Sequence, residues 1–127
     1  MADSARLIGV LMVFLAVVFG CVQEDVEKTA MKETGGNPKR GKATIRLYGC
    51  GACHTIPGVP GANGRVGPPL NRVARRAYLG GVLPNTPATM IQWIQNPQEV
   101  DPRTAMPAMG VTERDARDIA AYLYTLR

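Results

Sequence analysis

The chain carries two cysteines and its only histidine within five consecutive residues, Cys50-Gly51-Ala52-Cys53-His54. The pattern Cys-x-x-Cys-His is the one at which haem is attached covalently to protein. Two thiols at this spacing can add across the two vinyl groups of one haem, and the imidazole that follows reaches the iron from the proximal side. The motif therefore predicts one haem c, bound through Cys50 and Cys53, with His54 as an iron ligand.

Other interpretations of the cysteine pair remain open at this point. A Cys-x-x-Cys pair can be half of a zinc site, a thioredoxin-like redox pair or a chance spacing. A zinc site would need further Cys or His ligands at matching spacing. Cys21 is the only other cysteine, and no second histidine exists, so the scarcity of ligands favours haem.

The first 21 residues differ in composition from the rest of the chain. A short charged start precedes an apolar run over residues 7–19, which Gly20 and Cys21 follow. The run is short for a membrane-spanning helix, which needs about 20 apolar residues. We expect residues 1–21 to be a lipoprotein signal with a lipidated Cys21, a cleaved signal peptide, or an uncleaved membrane anchor.

Export also agrees with the chemistry of the cysteines. If Cys21 carries lipid while Cys50 and Cys53 carry haem, no cysteine is left without a role. Covalent haem implies a compartment outside the cytoplasm. We therefore expect the protein on the periplasmic side of a bacterial inner membrane, held by lipid or a helix at its N-terminus, with a soluble periplasmic protein as the alternative.

Residues 22–37 and 38–127 form the next two units. The first is charged, lacks a periodic apolar face and ends in Gly35-Gly36-Asn37, which predicts a flexible tether, with a short helix over residues 26–34 as the alternative. The second is a small domain whose own core would be thin. A buried, flat, apolar cofactor would supply the missing core.

The sequence predicts an all-α domain without β-strands. Helices are expected over residues 38–48, 70–78, 86–96 and 112–126. Gly49 and the pair Gly80-Gly81 would end the first two, while Thr86 and Thr112 would cap the last two. Apolar residues at helical spacing mark the last helix most clearly. We expect it to cross the first helix and to meet Ile45, Leu47 or Tyr48.

Four segments in this order resemble the class I (mitochondrial-type) c-type cytochromes of small bacterial electron carriers. They are Cys50 to His54, Gly67-Pro68-Pro69-Leu70, Trp93 in its helix, and Met106-Pro107-Ala108-Met109-Gly110 before the last helix. The resemblance covers nearly the whole domain, from Gly41 to Leu126. It implies a small cytochrome c fold of about four helices wrapped around one covalently attached haem.

The resemblance also implies roles for single residues. One ring nitrogen of His54 would ligate the iron, while the other would donate a hydrogen bond to the backbone carbonyl of Pro68. Leu70 would pack on the haem edge. Trp93 would pack on the haem with its indole N–H toward a polar group such as a propionate. An ordinary rigid turn at residues 67–69 and a simple core position for Trp93 are the structural alternatives.

The sixth iron ligand implied by the resemblance is Met106, which precedes the last helix as the family's methionine does. A neutral thioether favours the reduced iron and so raises the reduction potential. Met109 and Met90 are the competing methionines. Methionines at such spacing are more often packing residues than ligands, so both are expected to be structural.

The net charge of +5 bears on partners. Four arginines, Arg65, Arg72, Arg75 and Arg76, lie between the haem motif and the third helix, and a cationic rim there would steer the domain toward an acidic docking surface. A generic solvated face is the alternative. Sparse aromatic residues and the absence of a recognition motif argue against nucleic acid.

The sequence thus predicts an electron carrier without substrate chemistry, exchanging single electrons with an oxidase, a quinol-oxidising complex or a dehydrogenase. A fixed electron-entry subunit of a membrane oxidase or dehydrogenase is an alternative. A haem peroxidase or gas-binding protein is disfavoured, because the chain has no second histidine for the distal side and Met106 would close the iron.

Overall fold

The computed structural model describes Ile8 and residues 22–127. Its elements are α1 over residues 22–34, α2 (Pro38–Leu47), 3-10 turns at Cys50–Ala52 and Val73–Arg75, β1 (Tyr78–Leu79), β2 (Leu83–Pro84), α3 (Pro87–Gln95), α4 (Pro97–Val100) and α5 (Glu113–Thr125). The predicted all-α class is confirmed. Apart from Ile8, the segment predicted as an export signal, with Cys21, lies outside the described residues. Within the described part, no helix is both long and apolar enough to cross a membrane.

Helix α2 starts where the sequence predicts because Asn37 caps it. The side-chain oxygen of Asn37 accepts hydrogen bonds from the N–H groups of Lys39 and Arg40, at 3.0 and 3.1 Å. Pro38 stands at the start of the helix, where its missing N–H has no cost. After the helix, Gly49 has a φ of 69°, the left-handed conformation that often terminates helices. The chain therefore turns out of α2 just before the cysteine motif.

The first and last helices of the domain cross at close range, as predicted. A Cβ at Gly41 would lie 1.9 Å from the backbone oxygen of Asp118, so only glycine allows this approach. Ile45 is buried at the crossing, and the Tyr48 hydroxyl donates to a carboxylate of α5 at 2.9 Å. Of the three residues predicted as alternatives, Ile45 and Tyr48 therefore make the contact, while Leu47, 80% exposed, lies on the opposite face of α2 from Ile45.

A buried carboxylate joins the same two helices. Asp118, only 2% exposed, accepts hydrogen bonds from Nε and Nη2 of Arg40 at 2.7 and 2.8 Å. It also accepts one from the N–H of Asn37 at 2.6 Å. Burial alone would raise the pKa of Asp118, but the hydrogen bonds from Arg40 and Asn37 outweigh it and hold that pKa below its usual value. The start of α2 is therefore fixed to α5 by an ionised side chain.

The segment before α2 agrees with the alternative prediction of a short helix over residues 26–34 and not with a flexible tether. Residues 22–34 are helical and form α1. Ala30 and Thr34, one helical turn apart, are buried, and the Thr34 carbonyl accepts a hydrogen bond from Nη1 of Arg117 at 3.4 Å. The tether prediction is therefore wrong for residues 22–34, because two small side chains among many charges suffice for α1 to pack on α5.

The helix predicted over residues 70–78 is also wrong. The chain forms only the 3-10 turn Val73–Arg75 and then the antiparallel pair of β1 and β2, which the prediction of no strand also missed. Arg72, with a φ of 54°, is the only non-glycine residue with positive φ among those described, and such a conformation cannot continue an α-helix. Asn85 binds the carbonyls of Val73 and Arg76 instead.

The remaining helices follow their predicted caps. The side chains of Thr86 and Thr89 bond reciprocally to each other's backbone N–H at the start of α3. Thr112 accepts from the N–H of Asp115 at the start of α5. After Asn96, the short helix α4 (Pro97–Val100) begins, which the sequence did not predict. Helices α2, α3 and α5 supply most of the buried core.

Candidate functional site

The cysteine motif forms one tight turn at the end of α2. The N–H groups of Cys53 and His54 both donate to the carbonyl of Cys50, at 3.2 and 3.0 Å. Cys50 and Cys53 are half-buried, and neither forms a disulfide within the described chain. Burial raises the pKa of the Cys50 thiol, which keeps it in the neutral form. Both sulfurs and the imidazole therefore come from one rigid turn.

The imidazole of His54 is oriented by a backbone carbonyl. Its Nδ1 lies 2.7 Å from the carbonyl oxygen of Pro68, which is the contact that the family resemblance implies. A carbonyl can only accept, so Nδ1 carries the hydrogen, and in the neutral imidazole Nε2 then keeps its lone pair. This is the tautomer that a metal-ligating histidine needs, and the hydrogen bond makes the ring a better donor to the metal.

Segment 67–70 forms backbone hydrogen bonds with the residues on either side of His54. The N–H of Gly67 donates to the carbonyl of Cys53, and the N–H of Leu70 donates to the carbonyl of Thr55, each at 2.8 Å. A Cβ at Gly67 would lie 2.3 Å from Cε1 of His54. The ring therefore lies flat against a glycine, a constraint that the motif alone did not reveal.

The loop over residues 56–64 packs against the cysteine turn. The N–H of Gly64 donates to the carbonyl of Gly51 at 3.0 Å, and the N–H of Ile56 donates to the carbonyl of Ala62 at 3.0 Å. A Cβ at Gly51 would come within 2.8 Å of the Ala62 side chain, and one at Gly64 within 2.3 Å of a backbone oxygen. The sequence shows these glycines, but it does not predict that they contact the cysteine motif.

The three methionines considered as ligands lie in different environments. Met106 is half-buried in the segment before α5, where its N–H donates to Oγ1 of Thr104 at 3.2 Å. Met90 is 2% exposed on α3, as expected for a core residue. Met109 is 47% exposed, so its expected packing role is not seen. Among these, Met106 alone is neither fully buried nor largely exposed.

Trp93 and Leu70 are half-buried and pack against the core. The β1–β2 turn covers the indole of Trp93 so closely that a Cβ at Gly80 would lie 2.5 Å from Cη2. Gly80 also has a positive φ, of 55°. Two independent reasons therefore require glycine at this turn, and the first of them also restricts the position of the tryptophan.

The predicted arginine cluster divides into two parts. Arg65, Arg72 and Arg75 are exposed. Arg76 instead turns back, and its Nη2 donates to the carbonyls of Pro69 and Asn71. Three arginines thus remain available to a partner, while the fourth stabilises the segment that orients His54.

The donor set fits a haem better than a zinc ion. The turn presents two thiols that form no disulfide and, directly after them, an imidazole oriented by the Pro68 carbonyl, which is the set that attaches and ligates a haem. Within the described residues, no group of three or more His, Cys, Asp and Glu side chains could hold a metal ion. The zinc alternative therefore lacks a ligand set in this part of the chain.

Comparison with known proteins identified a family for the chain. The family model described as cytochrome c oxidase, cbb3-type, subunit III matches residues 36–123. No curated protein and no solved structure matched the chain. The matched region begins at the turn before α2 and ends within α5, so it contains every predicted site residue described above.

Proposed function

Because the chain belongs to the c-type cytochrome family described as cytochrome c oxidase, cbb3-type, subunit III, we propose that it is a monohaem carrier of single electrons between respiratory redox partners. Domains of this family are electron-transfer modules that bind haem c covalently. The chain has a single Cys-x-x-Cys-His motif, which supports one haem, attached at Cys50 and Cys53.

The observation that carries the proposal is the hydrogen bond from Nδ1 of His54 to the Pro68 carbonyl, 2.7 Å long. It leaves Nε2 free to ligate iron. When bound, haem iron supplies a centre that alternates between Fe(II) and Fe(III) by gaining or losing one electron. The protein contributes a fixed imidazole, two points of attachment and a core that covers the cofactor.

Met106 is proposed as the ligand on the other face of the iron. Its half-buried position before α5 supports this role over the exposed Met109 and the core residue Met90. Leu70 and Trp93, both half-buried against the core, would pack on the haem. With His54 and Met106 both bound, the iron has no open position, so the protein transfers electrons and performs no substrate chemistry.

The partner is proposed to be a redox protein with an acidic docking surface. Arg65, Arg72 and Arg75 are exposed and follow the haem motif in the chain, and a concentrated positive field accelerates transient association with an acidic surface. The family description names an oxidase. An oxidase is therefore the first partner to test, ahead of a quinol-oxidising complex or a dehydrogenase.

We also propose that the domain works outside the cytoplasm, attached to the membrane through residues 1–21 as a lipoprotein or by a retained apolar segment. Helix α1 affects how it is held. Because Ala30 and Thr34 are buried against the domain, the domain would be presented in a fixed orientation by α1 and would not swing on a tether. Intact mass of the membrane-extracted protein tests lipidation, since a lipoprotein would begin at Cys21 with added acyl mass.

The ligand assignment is tested with two matched variants in the holoprotein. Met106→Ala should keep its covalent haem, lose the Met–iron charge-transfer absorption, show a lower reduction potential and bind carbon monoxide when reduced. Met109→Ala should behave like the wild type in all four respects. The reverse pattern would reassign the ligand to Met109, and rapid carbon monoxide binding by the wild type would favour a gas-binding or peroxidase function.

A separate experiment distinguishes a mobile carrier from a fixed subunit of a complex. Gentle detergent extraction of membranes followed by size fractionation should leave a mobile carrier apart from the large redox complexes. Stable co-migration with an oxidase or dehydrogenase would identify it as a fixed electron-entry subunit instead.

A further inference from the structure

Asn85 connects two separate parts of the domain through one amide group. Its Nδ2 donates to the carbonyls of Val73 and Arg76, each at 2.9 Å. Its Oδ1 accepts a hydrogen bond from the hydroxyl of Tyr124 at 3.0 Å. The amide of Asn85 thus uses both donor hydrogens and its acceptor, joining the end of α5 to the turn that replaces the predicted second helix.

That turn is short and begins at a strained residue. Arg72 adopts a left-handed backbone with a φ of 54°, a conformation that costs energy in any residue other than glycine. The following 3-10 turn spans only Val73–Arg75. Asn85 binds its first carbonyl and the carbonyl just beyond its end, so the side chain fixes both ends of the turn at once.

This 3-10 turn also contacts the segment 67–70, which orients His54. The N–H of Val73 donates to the carbonyl of Leu70 at 3.2 Å. The guanidinium of Arg76 donates to the carbonyls of Pro69 and Asn71. These two contacts bind the residues directly after Pro68, whose carbonyl accepts the hydrogen bond from His54. A path of hydrogen bonds, completed by the backbone between residues 68 and 71, therefore runs from Asn85 to the imidazole.

We propose that Asn85 is a positioning residue that holds the Pro68 carbonyl against His54 and thereby lowers the reduction potential of the iron. The inference rests on the proposed function, since it requires that His54 ligates haem iron. Asn85 itself touches the turn and α5 and acts on His54 only through them.

The direction of the effect follows from the chemistry of the imidazole. A short Nδ1–H bond to a carbonyl increases the electron density that Nε2 donates, which favours the ferric iron. If the turn loosens, the Pro68 carbonyl moves and this bond lengthens. The imidazole then donates less, the ferrous form gains relative stability, and the potential rises.

The test compares purified holoproteins of the wild type and Asn85→Ala. We expect the ratio of reduced to oxidised haem at fixed ambient potential to rise by a factor of about two to ten in the variant. Loss of a direct outer-shell partner changes metal affinity or activity by about 10–100-fold, and Asn85 acts only indirectly. The Nδ1–H proton resonance of His54 in the ferrous protein should shift toward that of a weaker hydrogen bond. Asn85→Ser should change both in the same direction by a smaller amount.

Two control variants separate positioning from stability. Tyr124→Phe removes the bond from α5 but leaves both carbonyl contacts of Asn85, so it should lower the melting temperature with little effect on the potential. Asn96→Ala changes an exposed asparagine whose side chain makes no capping hydrogen bond, and should leave the potential unchanged.

Failure of the inference about Asn85 and failure of the proposed function give different results. A wild type without covalent haem would overturn the function itself. If the wild type holds haem and Asn85→Ala melts earlier while its potential and His54 resonance match the wild type, Asn85 is merely structural and the inference is wrong.

Discussion

The imidazole of His54 lies against Gly67, at a distance that leaves no room for a side chain. A Cβ on Gly67 would come 2.3 Å from Cε1 and 2.7 Å from Nδ1 of the ring. Gly67 also donates its N–H to Cys53, the residue before His54. The same glycine therefore holds the backbone beside the histidine and sets the plane of its ring.

Gly67→Ala should displace the imidazole. The added methyl group would meet the ring and a fixed backbone, so the ring must rotate or the hydrogen bond to Pro68 must lengthen. We predict reduced covalent haem per protein and, in the fraction that matures, an altered Met–iron charge-transfer band. Absorption spectra and intact mass measure both.

Val66→Ala is the matched control for this change. Val66 is the neighbouring residue and is 80% exposed, so its truncation should leave haem content and spectrum unchanged. Normal haem content and an unaltered spectrum in Gly67→Ala would show that the contact with His54 imposes no constraint.

Asp118→Asn should destabilise the fold although it preserves shape. The buried carboxylate accepts three hydrogen bonds, two of them from the charged Arg40. Hydrogen bonds to charged groups contribute about 1.5–3 kcal/mol, so we predict a loss of about 1–3 kcal/mol in the free energy of unfolding. Urea denaturation of the holoprotein measures it.

Glu113→Gln provides a comparison on the same helix. Glu113 pairs with Arg117 at 2.6 Å, but both side chains are well exposed. Exposed pairs contribute at most about 1 kcal/mol, so this variant should lose less stability than Asp118→Asn. Equal losses would contradict the importance assigned to the buried carboxylate.

The stabilisation by Asp118 should depend on pH in a defined direction. Although burial raises the pKa of this carboxyl, hydrogen bonds from Arg40 and Asn37 bring it below the usual value. A lowered folded pKa stabilises the protein fully above the unfolded value of about 3.9, and the contribution is lost as pH falls through the folded pKa. The stability difference between wild type and Asp118→Asn should therefore be constant near neutral pH and shrink in acid. A difference that grows on acidification would reverse the sign of the argument.

The parts of the fold that could be predicted from sequence have local signals. Helices α2, α3 and α5 carry caps or stops that act within a few residues, such as Asn37-Pro38, Thr86-Pro87 and Thr112. The contact between His54 and Pro68 was also expected, because the motif and its resemblance to a family specify both residues.

The parts that could not be predicted depend on distant partners. Arg72 takes its left-handed backbone in a turn that Asn85 holds from thirteen positions along the chain. The sequence around Asp118 resembles that of an exposed helix. Its burial and its ion pair with Arg40 arise only because α2 packs against α5. Gly36 was interpreted as part of a flexible segment, yet it is buried before α2, where a Cβ would lie 2.0 Å from the backbone oxygen of Arg117.

The most direct test of the central claim is the intact mass of the protein produced in a host that attaches haem c. We predict that the wild type gains the mass of one haem, which denaturing solvent does not remove, and that Cys50→Ala with Cys53→Ala retains none covalently. A wild type without that added mass, or a double variant that still carries it, would contradict attachment at Cys50 and Cys53.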